Sequence, residues 1–246
     1  MPLSRCCPPL LALALLLLSP LLASQEQPAP GTRPVLVAST TQVADFARQI
    51  AGDQAEVQCV LAPGADPHTY QPTPADARLV LRADLCLENG LHLEGKNWMA
   101  TLARDAGKPL VTCTAGLAPL QLEQEGTTIA DPHAWFAPRN AALYVRNILA
   151  GLERIDPAGA ARYRARAGLY LQQLRVLDAW IREPVNRLPP AGRILVTSHD
   201  AFQYFAAEYG FQNPAPVGWS TGSELGAGMT PSRYRPGVAQ IRSPGV

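Results

Sequence analysis

Short apolar runs that alternate with helical stretches constrain the fold of this 246-residue chain more than any other feature. Four runs have the length of a strand: Val35–Ala38, Glu56–Leu61, Leu85–Leu87 and Leu110–Thr112. Strands that alternate with helices of about ten to fifteen residues are typical of βαβ units, in which parallel strands are covered by helices. The sequence therefore predicts an α/β fold with a parallel sheet flanked by helices.

Cap and proline residues indicate where several helices begin. A Ser-Thr-Thr stretch at residues 39–41 precedes a helix that continues to Ile50, and Thr73 precedes Pro74 at a second helix start. Ala137 and Pro138 open a third. Threonine is a favoured N-cap, and proline is tolerated at the first helical position.

Three cysteines follow the same repeat, because Cys59, Cys86 and Cys113 are equally spaced and each falls in or just beyond a predicted strand. We expect three small buried side chains at equivalent sheet positions. One disulfide is the alternative, and the spacing does not choose its partners. Zinc binding by these thiols is disfavoured because the close Cys-x-x-Cys spacing is missing.

A long helical segment divides the chain. It begins at Asp156, ends near Leu188, and has a possible interruption at Pro184. We therefore predict an α/β lobe over residues 33–154, a linking helix over 156–189 and a second, incomplete α/β lobe over 191–246. A single helix between two lobes is a stiff link that limits hinge opening.

The N-terminus predicts export. Arg5 precedes an apolar run over Leu10–Leu18, and the small residues Ala23 and Ser24 follow. This pattern is typical of a cleavable signal peptide, here residues 1–24, and the run is shorter than the roughly 20 residues of a membrane-spanning helix. The only cysteines nearby, Cys6 and Cys7, precede the apolar core, so no lipoprotein cysteine follows it. We expect a periplasmic protein.

The charge balance argues against nucleic acid as a partner. The formal net charge is +1, and no basic cluster stands out along the chain. Proteins that bind nucleic acid usually present a concentrated basic surface to the phosphates. We expect a monomer that does not bind nucleic acid.

The histidines suggest a metal site. Only four occur, and two stand in the same tripeptide, Asp-Pro-His, at residues 66–68 and 131–133. A third, His199, precedes Asp200. Imidazole is the commonest protein ligand of transition metals, and a carboxylate or carbonyl usually orients it. We therefore predict that His68, His133 and His199 bind one metal ion.

The predicted positions of these histidines support that hypothesis. His68 follows the run that ends at Leu61, and His199 follows a predicted strand, Arg193–Thr197. All three histidines precede a helix. Open α/β sheets bind their ligands at the carboxyl ends of the strands. His92 lacks the Asp-Pro context, so we interpret it as a loop residue or as an outer neighbour of the site.

Two other classes of protein remain open. A secreted three-histidine zinc hydrolase could use Asp66, Asp131 or Asp200 as its general base, although no His-Glu-x-x-His spacing occurs. Residues 218–222 fit the Gly-x-Ser-x-Gly pattern, but no histidine follows as that hydrolase fold requires. A solute binder or adhesin that uses no metal is the second alternative.

Four motifs resemble the periplasmic metal-binding proteins of zinc and manganese ABC importers, the cluster A-I solute-binding family. They are Gly64–Asp76, Asn89–Glu94, Asp131–Trp135 and Thr197–Phe202, within a match from about Val35 to about Gln212. The resemblance implies two lobes that face each other across the linking helix, one divalent ion between them and an ABC-transporter membrane permease as partner. It also implies ligand roles for His68 and His133 in the first lobe and His199 in the second.

The same resemblance bears on the metal. Histidine at the third ligand position favours Zn(II), whereas the short stretch at residues 121–130, which lacks histidine, keeps Mn(II) possible. The family's fourth ligand is an acidic residue later in the second lobe. No aspartate follows Asp200, and Glu224 is more plausibly a loop residue than a ligand. A truncated or degenerate copy that binds metal weakly or not at all therefore remains an alternative.

Overall fold

The computed structural model describes residues 33–124, 127–197 and 200–213. Its first half alternates strands and helices in the order that the sequence predicts. These elements are β1 (Val35–Ala38), α1 (Thr41–Ala51), β2 (Glu56–Cys59), α2 (Pro74–Leu81), β3 (Leu85–Glu88), α3 (Trp98–Asp105) and β4 (Leu110–Thr112). Strand β2 ends at Cys59 rather than at Leu61.

The four strands form one parallel sheet in the order β2-β1-β3-β4. Side chains alternate between its faces, so Leu36 and Leu85 pack with α1 and later helices, whereas Val37 packs with residues of α2 and α3. Helices thus cover both faces of the sheet, and the predicted α/β class is confirmed.

The prediction of equivalent cysteine positions is wrong. Cys59 pairs with Ala38 across the sheet, whereas Cys86 pairs with Val37, and neighbouring residues of a strand point to opposite faces. Cys113, just beyond β4, shares the face of Ala38. All three are free thiols, and burial raises the pKa of Cys86 to about 11.

Two short strands follow β4 in the chain, β5 (Gln121–Gln124) and β6 (Thr127–Ala130). They pair with each other in antiparallel orientation and precede the later helices in sequence. The sequence did not predict these two strands. Their strand signal is weak because few of their residues are apolar, and Leu122 is their buried anchor.

Two long helices follow, α4 (Pro138–Ile155) and α5 (Ala160–Arg187), with a 3₁₀ turn at Pro157–Gly159 between them. The predicted long helix is therefore present, but it starts after this turn. The Asp156 carboxylate accepts hydrogen bonds from Gly159 N and Tyr163 Oη, which stabilises the turn. Pro184 lies inside α5 without ending it. Among the described residues, no helix combines the length and apolar character needed to cross a membrane.

The predicted strand Arg193–Thr197 is absent from the described structure. Residues 190–192 form a 3₁₀ turn, and Ile194 makes one isolated parallel bridge with Gln212. A strand requires several consecutive paired residues, whereas Leu195 N and Gln212 N make the two main-chain hydrogen bonds of a single bridge. The helix predicted after His199 is present as α6 (Gln203–Tyr209).

Candidate metal centre

The two Asp-Pro-His tripeptides fold into the same local turn. Asp66 Oδ1 accepts a hydrogen bond from His68 N at 2.9 Å, and Asp131 Oδ1 accepts one from His133 N at 2.9 Å. An aspartate that binds the main chain two residues ahead is an Asx turn. The tripeptide therefore specifies the same backbone geometry at both sites.

This geometry is accompanied by close approach of the two imidazoles. The ring centroids of His68 and His133 lie 5.4 Å apart, with an interplanar angle of 53°. His133 is 3% exposed, and His68 is half-buried. Residues 65 positions apart in the chain thus bring two potential ligands within reach of one ion.

Asp131 also orients the ring of His133. The distance from Asp131 Oδ1 to His133 Nδ1 is 2.8 Å, and both side chains are almost completely buried. A carboxylate that accepts the Nδ1 proton fixes the tautomer in which Nε2 carries the lone pair. Asp131 thus fixes both the orientation and the tautomer of the His133 ring.

The helix α6 contacts this turn through Tyr204. The Tyr204 hydroxyl donates a 2.8 Å hydrogen bond to the main-chain oxygen of Asp131 and accepts one from Leu120 N at 3.1 Å. Glu208 of the same helix forms ion pairs with Arg139 of α4 and Arg182 of α5. These contacts fix α6, which follows His199 in the chain, beside the Asp131 turn.

The third predicted ligand, His199, lies outside the described residues. Its neighbour Asp200 is described, and burial together with the Asp131 carboxylate raises the pKa of Asp200. The His133 ring acts on Asp200 in the opposite sense. Asp200 therefore lies near Asp131 and His133. Within the described parts of the chain, no cluster of three or more His, Cys, Asp or Glu side chains has metal-binding geometry.

His92 is exposed on the loop after β3, at a positive φ of 61°. Its interpretation as a loop residue or outer neighbour stays a prediction.

A buried carboxylate in the Asn89–Glu94 motif was not predicted from the sequence. Glu94 is 1% exposed and accepts hydrogen bonds from Ser39 Oγ, Asn89 N and Gly90 N. Burial raises the pKa of Glu94, and the three donors oppose that rise. The motif Asn89–Glu94 contained this residue, but its sequence gives no sign that the acid points inward.

A family model described as "ZnuA: Zinc-uptake complex component A periplasmic" matches residues 36–246. The chain belongs to the ZnuA family. This membership accords with the fold, because the solved structure of the periplasmic zinc-binding protein TroA from Treponema pallidum superimposes with a TM-score of 0.74. That superposition covers 85% of this chain and 74% of TroA at 30% identity.

Two relatives of this chain are named for different metals. The iron-binding protein YfeA of Yersinia pestis is 42% identical over 180 residues, which are 72% of this chain and 57% of YfeA. The manganese-binding lipoprotein MntA of Bacillus subtilis is 36% identical over 195 residues, 78% of this chain and 63% of MntA. This chain thus spans less than two thirds of either relative.

The names of these relatives describe metal-binding proteins, and none of the three names a hydrolase, so they give no support to the hydrolase alternative. The Gly-x-Ser-x-Gly stretch at residues 218–222 and Glu224 both lie outside the described residues.

Proposed function

We propose that this chain is an exported solute-binding protein that captures one divalent transition-metal ion and delivers it to an ABC-transporter permease. The observation that carries the proposal is the 5.4 Å separation of the His68 and His133 rings in matching Asx turns. His199 completes the set as the third ligand, and the position of its neighbour Asp200 near His133 supports that role.

The chemistry of the donors favours zinc. Three neutral imidazoles are a common zinc ligand set, and Zn(II) accepts four-coordinate geometry with water or another donor in the open position. Mn(II) stays a candidate, and the relatives differ among themselves, with zinc, manganese and iron in their names. The first titration should therefore compare Zn(II), Mn(II) and Fe(II).

Binding without turnover is the second part of the proposal. An exported protein that hands over its ion needs ligands that release it, and catalysis is not required. The family description as a component of a zinc-uptake complex supports a membrane permease as the receiving partner. We expect a monomeric periplasmic protein, with the signal peptide removed at about residue 24.

Calorimetric titration of the purified chain tests the proposal. We expect saturable binding of one Zn(II) per protein, because the two imidazoles converge on a single position. Replacement of either ligand, in His68→Asn or His133→Asn, should weaken Zn(II) binding at least tenfold. A folded chain that shows no saturable binding of Zn(II), Mn(II) or Fe(II) would contradict the proposal.

His92→Asn is the matched control for these variants. It makes the same substitution on the same lobe at an exposed position, and asparagine tolerates the positive φ of residue 92. Affinity should stay within about twofold of the parent chain. An equal loss in all three variants would show that histidine content, and not the pair, determines binding.

A further inference from the structure

Both Asp-Pro-His turns are held by one short segment, residues 89–98. Asn89 Nδ2 donates a hydrogen bond to Pro132 O at 3.0 Å, and Trp98 Nε1 donates one to Pro67 O at 3.2 Å. Each acceptor is the carbonyl of the proline immediately before a histidine of the pair. The two ends of the segment therefore contact equivalent atoms of the two turns.

Asn89, the residue after β3, is completely buried, and both the oxygen and the nitrogen of its side-chain amide make hydrogen bonds. Its Oδ1 accepts a 2.6 Å hydrogen bond from Tyr144 Oη, and its Nδ2 donates to Gly90 O as well as to Pro132 O. Its main-chain oxygen accepts from Thr114 Oγ1 at 2.7 Å. Asn89 thus connects the end of the central sheet, α4 and the His133 turn.

The other end of the segment contacts the His68 turn at two points. Trp98 is 5% exposed and packs against Tyr70, with ring centroids 5.3 Å apart. Gly95 has a φ of +50°, and a Cβ at that position would lie 2.4 Å from His68 O. The main chain of the segment therefore packs directly against the main chain of His68.

We infer that residues 89–98 act as a clamp that sets the separation of the His68 and His133 imidazoles, with Asn89 and Trp98 as positioning residues. The inference rests on the proposed function only for its effect on metal affinity. Partners that orient metal ligands typically change affinity about 10- to 100-fold when they are replaced. The clamp therefore predicts a loss of metal affinity when residues that do not touch the ion are replaced.

Trp98→Phe tests one end. Phenylalanine keeps the buried ring beside Tyr70 and removes the Nε1 donor to Pro67 O. We expect Zn(II) affinity to fall about two- to tenfold, the usual range for one neutral hydrogen bond. In a His68→Asn background the same change should have no further effect, because Trp98 acts through the His68 turn. Trp180→Phe, at a tryptophan 66% exposed on α5, is the matched control.

Asn89→Asp tests the other end. Aspartate has the same shape and can still accept from Tyr144 Oη, but it places an acceptor against Pro132 O and Gly90 O. We expect a loss of about 10- to 100-fold in Zn(II) affinity. Asn186→Asp adds the same charge at an exposed position of α5, outside the clamp, and should change affinity by less than about twofold. Trp98→Phe carries the test if Asn89→Asp does not fold.

A metal-free readout separates this inference from the proposed function. The clamp predicts a nuclear Overhauser effect between the His68 and His133 ring protons in the metal-free parent chain, weakened in Trp98→Phe and unchanged in Trp180→Phe. If the parent chain binds metal, unchanged affinity or an unchanged ring contact in Trp98→Phe overturns the inference. If the parent chain binds no metal, the proposed function fails, and the ring contact alone decides whether the clamp exists.

Discussion

At the scale of single residues, the aspartates of the two Asp-Pro-His tripeptides make different contacts with their histidines. Asp131 is 0% exposed and contacts both the main chain and the ring of His133, whereas Asp66 contacts His68 N and the Thr69 hydroxyl. The carboxylate of its own tripeptide therefore orients the His133 ring, whereas the Asp66 carboxylate contacts the main chain of His68 and the neighbouring threonine.

Glu88 gives a residue-scale prediction about pH. This last residue of β3 is buried, burial raises its pKa, and Thr112 Oγ1 donates to Oε1 at 2.7 Å. Because the folded-state pKa lies above the unfolded one, the folded state binds the proton more tightly. The protonated Glu88 side chain therefore contributes to stability at low pH, and this contribution is lost as pH rises through the folded-state pKa.

Glu88→Gln removes this charge and keeps an oxygen acceptor for Thr112. We expect the variant to be more stable than the parent by about 1 kcal/mol at pH 7, with the difference vanishing near pH 4. Urea unfolding at both pH values measures it. Glu183→Gln, at an exposed helix position, should shift stability by less than about 0.5 kcal/mol. A gain for Glu88→Gln that is independent of pH would show that the carboxylate is not the cause.

At the scale of elements, the packing of α4 on the sheet depends on a glycine. A Cβ at Gly151 would lie 2.6 Å from Val111 Cγ2 of β4 and 3.0 Å from Leu85 Cδ2 of β3. Gly168 of α5 is exposed, and no atom lies within 4 Å of its would-be Cβ. Gly151 therefore allows close packing of α4 on the sheet, whereas Gly168 has space for a side chain.

We expect Gly151→Ala to destabilise the fold by about 1–3 kcal/mol, because the added methyl overpacks the helix–sheet interface. Gly168→Ala should stabilise it by up to about 1 kcal/mol, since alanine has the higher helix propensity. Thermal unfolding of both variants measures the difference. Stabilisation by both substitutions would show that α4 is free to move away from the sheet.

The sequence predicted some elements and not others for identifiable reasons. The strands β1, β3 and β4 are built on short apolar runs, and Thr73 forms the expected N-cap of α2, within a capping box that includes Asp76. Strands β5 and β6 lack such a run. The run Arg193–Thr197 looks like a strand, but strand formation depends on partners elsewhere in the chain, and the described bridge is limited to Ile194 and Gln212.

At the scale of the whole molecule, the histidine pair lies beyond the carboxyl ends of the parallel strands. His68 follows β2, and Asn89 directly follows β3. Asp131 and His133 join them after β6, where α6 contacts Asp131 through Tyr204. Segments from most of the described chain therefore meet at one edge of the sheet, the usual ligand edge of open α/β folds.

The site could be predicted only in part, because it is assembled from segments that are distant in the chain. The repeated Asp-Pro-His tripeptide identified His68 and His133, because local sequence determines the Asx turns. The distance between their rings depends on Asn89 and Trp98, whose hydrogen bonds to distant carbonyls have no sequence signature. The buried orientation of Glu94 was missed for the same reason. His199 as third ligand remains a prediction.

X-ray absorption at the zinc K-edge of the 1:1 Zn(II) complex tests most directly whether His68 and His133 bind the same ion. We predict a nitrogen and oxygen shell at about 2.0–2.1 Å with outer scattering from at least two imidazoles, and the loss of one imidazole in His133→Asn. A sulfur shell near about 2.3 Å, or imidazole scattering unchanged in both His68→Asn and His133→Asn, would contradict the account.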